Sequence, residues 1–388
     1  PDGLTIAFIM KVPGKELSLV KPLPKPKGAE WADAPRITTR FKYEQDGAGY
    51  LSPGFRHIFT VSAEGGAVKQ LTSGDMDYGS PVWSPSGDYV LFSANLYEER
   101  DRERRNSEIY KLELKDGTIK PLTERFGPDY NPVISPDGST IAWLSYEDKI
   151  RTYQIAHIWL MDSDGNNKRR IKTELDRNPA SLQWKADGKG LYFMYDDRGE
   201  TMLAETSLNG KVRILAKNIG GASIGRPYGG ASYSASNNGE LAFNKADPYH
   251  PAELAFLPPK GGMKQLTYLN APLLDNRNLG RVEDMEYTSS VDGIDLQGWL
   301  IYPPNYDSNR TYPLLVEIHG GPISNYGPRF TPELQLYASD GYVVFYPNMR
   351  GSTSYGEAFG DLLYHNYPGD DYQDIMDGVD LLIEKGIT

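Results

Sequence analysis

A turn signature that ends in glycine recurs along this chain with a period of about fifty residues. It reads Ser-Pro-Ser-Gly, Ser-Pro-Asp-Gly, Lys-Ala-Asp-Gly and Ser-Asn-Asn-Gly, and it ends at Gly87, Gly138, Gly188 and Gly239. Successive glycines are therefore 51, 50 and 51 residues apart. A fixed period of this length constrains the fold more than any single residue does, because it is typical of supersecondary units that stack on one another.

Short apolar runs follow each signature and predict buried strands, because the turn glycine accepts the positive φ that a tight hairpin turn requires. These runs occupy residues 89–92, 141–144, 191–194 and 241–243. A second strand recurs at residues 58–61, 109–112 and 158–161, and a closing marker recurs at residues 70–72, 121–123, 171–173 and 265–267. Three or four short strands per unit cannot bury both faces of a sheet alone. We therefore predict that the units stack radially into a β-propeller.

We predict five such units, of which the first is truncated and stretched. Pro1-Asp2-Gly3 matches the last three residues of the signature Ser-Pro-Asp-Gly. Residues 21–26 (KPLPKP) predict an extended loop of polyproline character. The composition, with 40 Gly, 28 Pro and 27 Tyr, favours many short strands. The tryptophans of the repeats are predicted to pack between blades: Trp83, Trp143, Trp159 and Trp184.

The fifty-residue rhythm stops at about Val282, where strands begin to alternate with helices, as in an α/β domain. The predicted strands cover residues 284–289, 294–302, 314–319 and 342–347, and the predicted helices cover residues 332–339 and 372–385, the second with Asp370 or Asp371 as its cap. A length of 388 residues exceeds what one core supports. We predict a mixed fold of two domains: residues 1–281 as an incomplete all-β propeller, and residues 282–388 as part of an α/β domain.

Composition excludes several classes of function. The net charge of −11 disfavours nucleic acid and anionic membrane surfaces as partners. The absence of Cys excludes disulfides, thiolate metal sites and a cysteine nucleophile. No metal-ligand spacing and no nucleotide-binding glycine loop occurs, so no cofactor is implied. No apolar run of about 18 residues spans a bilayer. A soluble protein is expected, with its compartment (cytoplasm or periplasm) and the formation of a homo-oligomer left open.

The loop His319-Gly320-Gly321-Pro322 follows an apolar strand and is the strongest chemical signal in the chain. Its glycines, Gly320 and Gly321, let the backbone approach a substrate, and an exposed N–H there can stabilise the oxyanion of a tetrahedral intermediate. We assign this role to the N–H of Gly321. His319 is predicted to shape the loop and not to act as general base. A plain glycine turn is the alternative.

Two further segments complete a pattern. Residues 348–356 (NMRGSTSYG) follow the next strand, and residues 371–374 (DYQD) open the next helix. With the propeller repeats, residues 46–57 and residues 106–110 (NSEIY), the chain resembles the prolyl oligopeptidase family of serine peptidases along essentially its whole length, in particular the acylaminoacyl-peptidase-like branch.

The resemblance implies that residues 282–388 are the N-terminal part of an α/β-hydrolase domain. It also implies a peptide substrate, an acyl-enzyme intermediate and a propeller that covers the active site. It also implies that the catalytic Ser, Asp and His follow one another after the last helix, the serine on a Gly-x-Ser-x-Gly elbow. The chain ends at Thr388, before all three, so the triad is expected to be absent and this chain alone inactive.

Two other motifs resemble functional sites, but a simpler explanation without a functional role is favoured for each. Residues 221–225 match Gly-x-Ser-x-Gly, but Ser223 lies within a propeller repeat, so a chance match is favoured. Tyr97-Glu98-Glu99 resembles the acidic pair with which dipeptidyl peptidases hold a substrate's free amino terminus by charge-assisted hydrogen bonds. The mixed charges of residues 98–105 favour a solvated loop there instead.

The predicted function is that of a serine peptidase acting on short peptides. Three alternatives stay open: a dipeptidyl peptidase, an esterase of the same hydrolase fold, and a non-catalytic propeller that binds a protein partner. Whether acyl-amino acids, dipeptides or internal fragments are released also stays open.

Overall fold

The computed structural model describes residues 2–21, 23–32 and 35–388. Pro1 of the first, partial signature and Pro22 of the predicted proline-rich loop lie outside the described residues. The chain divides into two compact units, Pro1–Asp148 with Leu160–Lys168, and Lys149–Trp159 with Arg169–Thr388. These units are defined by compactness, and the domain boundary at residue 282 stays a prediction. Within the described ranges, no helix has both the length and the apolar character needed to cross a membrane.

The first unit is built from short antiparallel strands. The long strands β1 and β4 pair with Ile9 opposite Ile58, and β5 adds to the outer edge of β4. The strands β6 to β9 form a four-stranded sheet in chain order, and β10 pairs with β11. In chain order the strands are β1 (Thr5–Pro13), β2 (Glu44–Gln45), β3 (Gly49–Tyr50), β4 (Gly54–Ser62), β5 (Lys69–Gln70), β6 (Val82–Trp83), β7 (Tyr89–Ala94), β8 (Glu108–Glu113), β9 (Ile119–Pro121), β10 (Asp129–Ile134) and β11 (Thr140–Ser145).

The second unit contains two further blades of the same kind. The strands β14 to β17 form one four-stranded antiparallel sheet in chain order, and β18 to β21 form the next. The strands β12 and β13 lie where the chain passes between the units. The strands are β12 (His157–Asp162), β13 (Arg169–Arg170), β14 (Ala180–Trp184), β15 (Gly190–Asp197), β16 (Glu200–Ser207), β17 (Val212–Ala216), β18 (Tyr233–Ala235), β19 (Leu241–Asp247), β20 (His250–Leu257) and β21 (Lys264–Gln265).

The repeated sequence markers have direct structural reasons. The signature glycines all have positive φ, between 67° and 79°, and each donates its N–H to the carbonyl three residues earlier. The closing marker holds the third strand of its blade through two hydrogen bonds. In the second blade, Leu122 N–H donates to the carbonyl of Ile109 at 2.7 Å, and the Thr123 hydroxyl oxygen accepts the N–H of Ile109 at 2.9 Å. In this pairing the threonine hydroxyl takes the place of a main-chain acceptor.

The rest of the second unit forms a mixed sheet with helices. Its elements are α1 (Ala271–Leu274), β22 (Val282–Thr288), β23 (Asp295–Ile301), β24 (Leu314–Val316), α2 (Pro332–Ser339), β25 (Val343–Asn348), α3 (Glu357–Gly360), a 3₁₀ turn (Asp361–Leu363) and α4 (Asp370–Glu384). The sheet order is β22-β23-β25-β24, in which only β24 and β25 are parallel.

Side chains alternate across this sheet between two cores. Val343 and Phe345 of β25 face a cluster that includes Leu382 of α4, whereas Val344 and Tyr346 face a cluster that includes Leu334 of α2. Both faces of β25 are therefore buried, which explains its continuous apolar sequence.

Two details of the α/β segment differ from the sequence-based expectation. The strand predicted over residues 314–319 ends at Val316, and the predicted cap at Asp370 or Asp371 is wrong, because Gly369 is the N-cap and both acids lie in the first turn of α4. Asp370 faces Arg350 instead, with its Oδ2 3.5 Å from the guanidinium. Acidic residues in a first turn still favour the helix dipole.

A glycine substitution tests the turn signature. Gly188→Ala is expected to lower the free energy of unfolding by about 1 kcal/mol, because alanine disfavours the positive φ while its Cβ would meet no atom within 4 Å. The matched control is Gly225→Ala in the same unit, which also has open space but an ordinary φ and should change stability by less than about 0.5 kcal/mol. Urea unfolding measures both, and equal effects would contradict the explanation.

Candidate active site

The candidate loop lies at the carboxyl edge of the hydrolase sheet. Because β24 and β25 are parallel, the segments that follow them emerge at the same edge. These segments are the predicted loop at residues 319–322 and the predicted motif at residues 348–356. Ligands of open α/β sheets bind at this edge. The structure thus brings together two segments that the sequence singles out separately.

His319 is buried in this loop, with 2% of its surface exposed. Its Nε2 lies 2.9 Å from the Oγ of Ser352, and its Nδ1 lies 3.2 Å from the carbonyl oxygen of Gly320. The Ser352 hydroxyl donates to the carbonyl of Met349 at 2.6 Å. Burial lowers the pKa of the His319 imidazole below its ordinary value. A neutral imidazole carries a single N–H, so it donates to only one of these two oxygens. A buried ring held between them is suited to holding the loop and not to accepting a substrate proton.

The two loop glycines are exposed, and their N–H groups differ in what they contact. The N–H of Gly320 donates to the hydroxyl of Tyr228 at 3.3 Å. The N–H of Gly321 has no acceptor in the part of the chain that the structure describes. Gly321 has a φ of 137°, and a Cβ at this position would lie 2.7 Å from the nitrogen of Ile323, so only glycine fits. An exposed N–H without an acceptor can receive an oxyanion.

An aromatic and ionic cluster supports the loop from behind. Tyr326, 1% exposed, packs edge-on against His319 with ring centres 5.2 Å apart, and its hydroxyl donates to Glu317 at 3.0 Å. Tyr228 packs against Tyr326 at 5.0 Å, and Arg226 forms a 2.6 Å ion pair with Glu317. Burial raises the pKa of the Tyr326 hydroxyl, so it stays a neutral donor. Side chains between β17 and β18 therefore fix the position of the loop.

Arg350 anchors the second segment. Its side chain is 3% exposed and its partner Asp374, on α4, is fully buried. Two guanidinium nitrogens donate to the two oxygens of Asp374 at 2.8 Å each, and the Arg350 main-chain N–H donates to the same carboxylate at 2.9 Å. Arg350 also donates to Ser289 at 2.9 Å and to Asp292 at 3.1 Å. The hydrogen bonds that Arg350 donates to Asp374 raise the pKa of the guanidinium, which stays charged.

Four residues of this site have roles that become apparent only in the structure. The sequence motifs contain Arg350 and Asp374, but their spacing of 24 residues does not reveal the pairing. A lone arginine directly after a buried strand, with an acid on the buried face of the next helix, is the signal that could identify it. Ser352 lies within a named motif without an assigned role, and Tyr228 gives no sequence signal at all.

The predicted acidic pair lies in the first unit, in the connection between β7 and β8. Tyr97, Glu98 and Glu99 are all exposed. Glu99 forms a 3.2 Å ion pair with Arg102, and the Tyr97 hydroxyl donates to the buried Glu108 at 2.9 Å. Burial raises the pKa of Glu108 to about 7. The role of Tyr97, Glu98 and Glu99 in substrate binding stays a prediction.

Ser223 lies in the connection between β17 and β18, outside any helix or strand. Among the described residues, its hydroxyl forms no hydrogen bond with a histidine. The position lacks the strand-turn-helix arrangement of a nucleophile elbow. This geometry supports the interpretation of its motif as a chance match.

The anchoring role of Arg350 predicts unequal effects of its acidic partners. Asp374→Asn is expected to lower the free energy of unfolding by about 3 kcal/mol or more, because it leaves a buried guanidinium without its counter-charge. The matched change Asp370→Asn removes a partner that is 43% exposed and 3.5 Å away, and should cost less than about 1 kcal/mol. Urea unfolding at neutral pH separates the two, and a loss at Asp370 equal to that at Asp374 would contradict the assignment.

Two family models match separate parts of the chain. Residues 328–388 match the prolyl oligopeptidase family, and residues 24–153 match the dipeptidyl peptidase IV (DPP IV) N-terminal region. Among curated relatives, the uncharacterized peptidase YuxL of Bacillus subtilis is 30% identical over 357 residues, covering 88% of this chain and 53% of that protein. Dipeptidyl-peptidase 5 of Porphyromonas gingivalis is 27% identical over 343 residues, covering 84% and 48%. The chain thus spans about half the length of the curated relatives it matches.

The comparison with solved structures concerns the fold. An acylaminoacyl peptidase of Pyrococcus horikoshii superposes with a TM-score of 0.76 at 24% identity, covering 99% of this chain and 55% of that one. The predicted fold class, a β-propeller region followed by the first part of an α/β-hydrolase domain, is confirmed by the neighbours and by the family matches. With motifs, family models and fold in agreement, the chain belongs to the prolyl oligopeptidase family.

Proposed function

We propose that this chain forms the propeller and the first hydrolase segment of a serine peptidase that hydrolyses short peptides through an acyl-enzyme. The observation that carries the proposal is the exposed Gly321 N–H without an acceptor, at the carboxyl edge of the sheet. In this role it donates to the carbonyl oxygen of the scissile bond as negative charge develops there. The nucleophilic serine and its Asp and His partners would come from sequence after Thr388.

The neighbouring residues would hold the loop in position and would take no part in bond formation or proton transfer. His319, held by Ser352 and packed against Tyr326, keeps the loop in one conformation, so that the Gly321 N–H need not reorganise during the reaction. Tyr228 occupies the Gly320 N–H, which leaves Gly321 as the donor that faces substrate. β24 has a hydrogen-bonded neighbour on one edge only among the described strands. A following parallel strand that carries the serine would be accommodated on its other edge.

We further propose that the propeller restricts entry to short peptides. The support for this step is that Tyr228, from the connection between β17 and β18, contacts Gly320 of the loop, and Arg226 pairs with Glu317 just before it. The names of the relatives favour release of acyl-amino acids or of dipeptides. An esterase would share the same loop, and comparing ester with amide turnover distinguishes it. A binding propeller would instead show stable partner capture without hydrolysis.

Active-site labelling tests the proposal. This 388-residue chain is expected to show no turnover of chromogenic acyl-peptide or dipeptide substrates and no reaction with a fluorophosphonate. The chain extended through its nucleophile elbow should hydrolyse such a substrate and be inactivated by the reagent. Peptide mapping of the labelled serine is the measurement. Labelling at Ser223, or an extended chain that is folded but unreactive, would overturn the proposal.

The oxyanion assignment predicts different effects at adjacent glycines of the extended protein. Gly321→Ala should lower kcat by about 10²- to 10³-fold, because a Cβ 2.7 Å from the Ile323 nitrogen forces the main chain to shift. The control is Gly320→Ala, where a Cβ meets nothing within 4 Å and the N–H is already bound to Tyr228. Its kcat should fall less than about tenfold. Equal losses at both positions would contradict the assignment.

A further inference from the structure

A cavity of about 310 Å³ lies within the second unit, and its lining includes Thr353 of the motif at residues 348–356. Its wall includes Tyr153, Ser181, Asp196, Thr201, Gly229 and Thr353. The volume lies at the lower end of the range of small-molecule sites and far exceeds the space of one water molecule. The cavity is therefore large enough for the end of a peptide.

Asp196 places a carboxylate in this wall without a cation of its own. No lysine or arginine forms an ion pair with Asp196 among the described residues. The neighbouring Asp197, in contrast, is paired with Arg177 at 2.8 Å. One oxygen of Asp196 accepts the Thr201 hydroxyl at 2.5 Å, and its Oδ2 has no donor in the described part of the chain. Half of this carboxylate is therefore available to a ligand.

A buried arginine fixes this arrangement. Arg329 is 6% exposed and donates from Nη2 to the Thr201 hydroxyl oxygen at 2.9 Å. Because a guanidinium only donates, the Thr201 proton must point to Asp196. The Thr201 hydroxyl thus accepts a hydrogen bond from Arg329 and donates its one proton to Oδ1 of Asp196. It therefore has no proton left to donate to Oδ2. Arg329 offsets part of the negative charge of Asp196 but does not contact it.

The cavity shares two wall segments with the candidate active site. Thr353 follows Ser352, and Ser352 contacts His319. The N–H of Thr353 donates to the carbonyl of Ser324 at 2.8 Å. Gly229 follows Tyr228, whose hydroxyl accepts the N–H of Gly320. The cavity wall is therefore adjacent in the chain to two residues that contact the oxyanion loop, Tyr228 and Ser352.

We propose that this cavity binds the primary ammonium group of a peptide substrate, with Asp196 as its anionic anchor. An ammonium carries three donors and no acceptor, which matches a free carboxylate oxygen beside hydroxyl oxygens such as those of Ser181 and Thr353. The group can be the amino terminus of the peptide or the end of a lysine side chain. The inference rests on the proposed function for its peptide ligand and is independent of Glu98 and Glu99.

Calorimetric titration of the 388-residue chain tests it with three probes. These are alanyl-phenylalanine amide, its N-acetyl derivative, and N-acetyl-lysine amide. The free amine should bind at least tenfold more tightly than its acetylated form, and Asp196→Asn should reduce that ratio to below about twofold. The matched charge change Asp197→Asn should preserve the ratio. Tighter binding of the lysine probe than of the free dipeptide would identify the side chain as the source of the ammonium.

A second variant guards against a folding defect. Ser181 is exposed and lines the cavity, so Ser181→Lys adds a tethered ammonium that competes for Asp196 while the carboxylate stays in place. It should abolish the preference for the free amine without lowering the melting temperature. A folded Asp196→Asn protein that keeps the preference, or equal binding of both dipeptides by the parent chain, would overturn the inference. Because the measurement is binding, absence of peptidase activity in the extended protein would contradict only the proposed function.

Discussion

A guanidinium buried beside a fully buried carboxylate holds the candidate site together. Arg350 lies just after the end of β25 at Asn348. Its hydrogen bonds to Asp374, Ser289 and Asp292 link this end of the strand to α4 and to the connection between β22 and β23. Such a pair carries a desolvation cost that only multiple, well-aligned hydrogen bonds offset. The result is a fixed path for residues 349–354, and His319 depends on that path through Ser352.

The site is therefore an assembly of main-chain positions held by buried polar contacts. His319 lies between Ser352 and the carbonyl of Gly320, the Gly320 N–H donates to Tyr228, and the Gly321 N–H has no acceptor in the described chain. Preorganised donors of this kind act on developing charge without the reorganisation that water requires. Members of the prolyl oligopeptidase family use serine chemistry, and this geometry is consistent with one half of such a site.

The sequence predicts the repeats well because they are local. Glycines with positive φ recur at Gly87, Gly138, Gly188 and Gly239, as a turn of this kind demands, and α2 begins and ends where its pattern predicts. The pairing of Arg350 with Asp374 and the contact of Tyr228 with Gly320 join distant parts of the chain, so no local pattern reveals them. Asp196 looks like any other of the 52 acidic residues until the structure shows which of its oxygens lacks a partner. The predicted N-cap of α4 is wrong for the same reason, because Asp370 faces Arg350 from a distant segment and does not cap the helix.

The most direct measurement is a crystal structure of the chain, extended through its nucleophile elbow, after reaction with a peptidyl phosphonate. The account predicts that one phosphonate oxygen lies about 2.7–3.1 Å from the main-chain nitrogen of Gly321, with His319 still bound to Ser352. A phosphonate oxygen held entirely by other donors, with the Gly321 N–H directed away from it, would contradict the central claim.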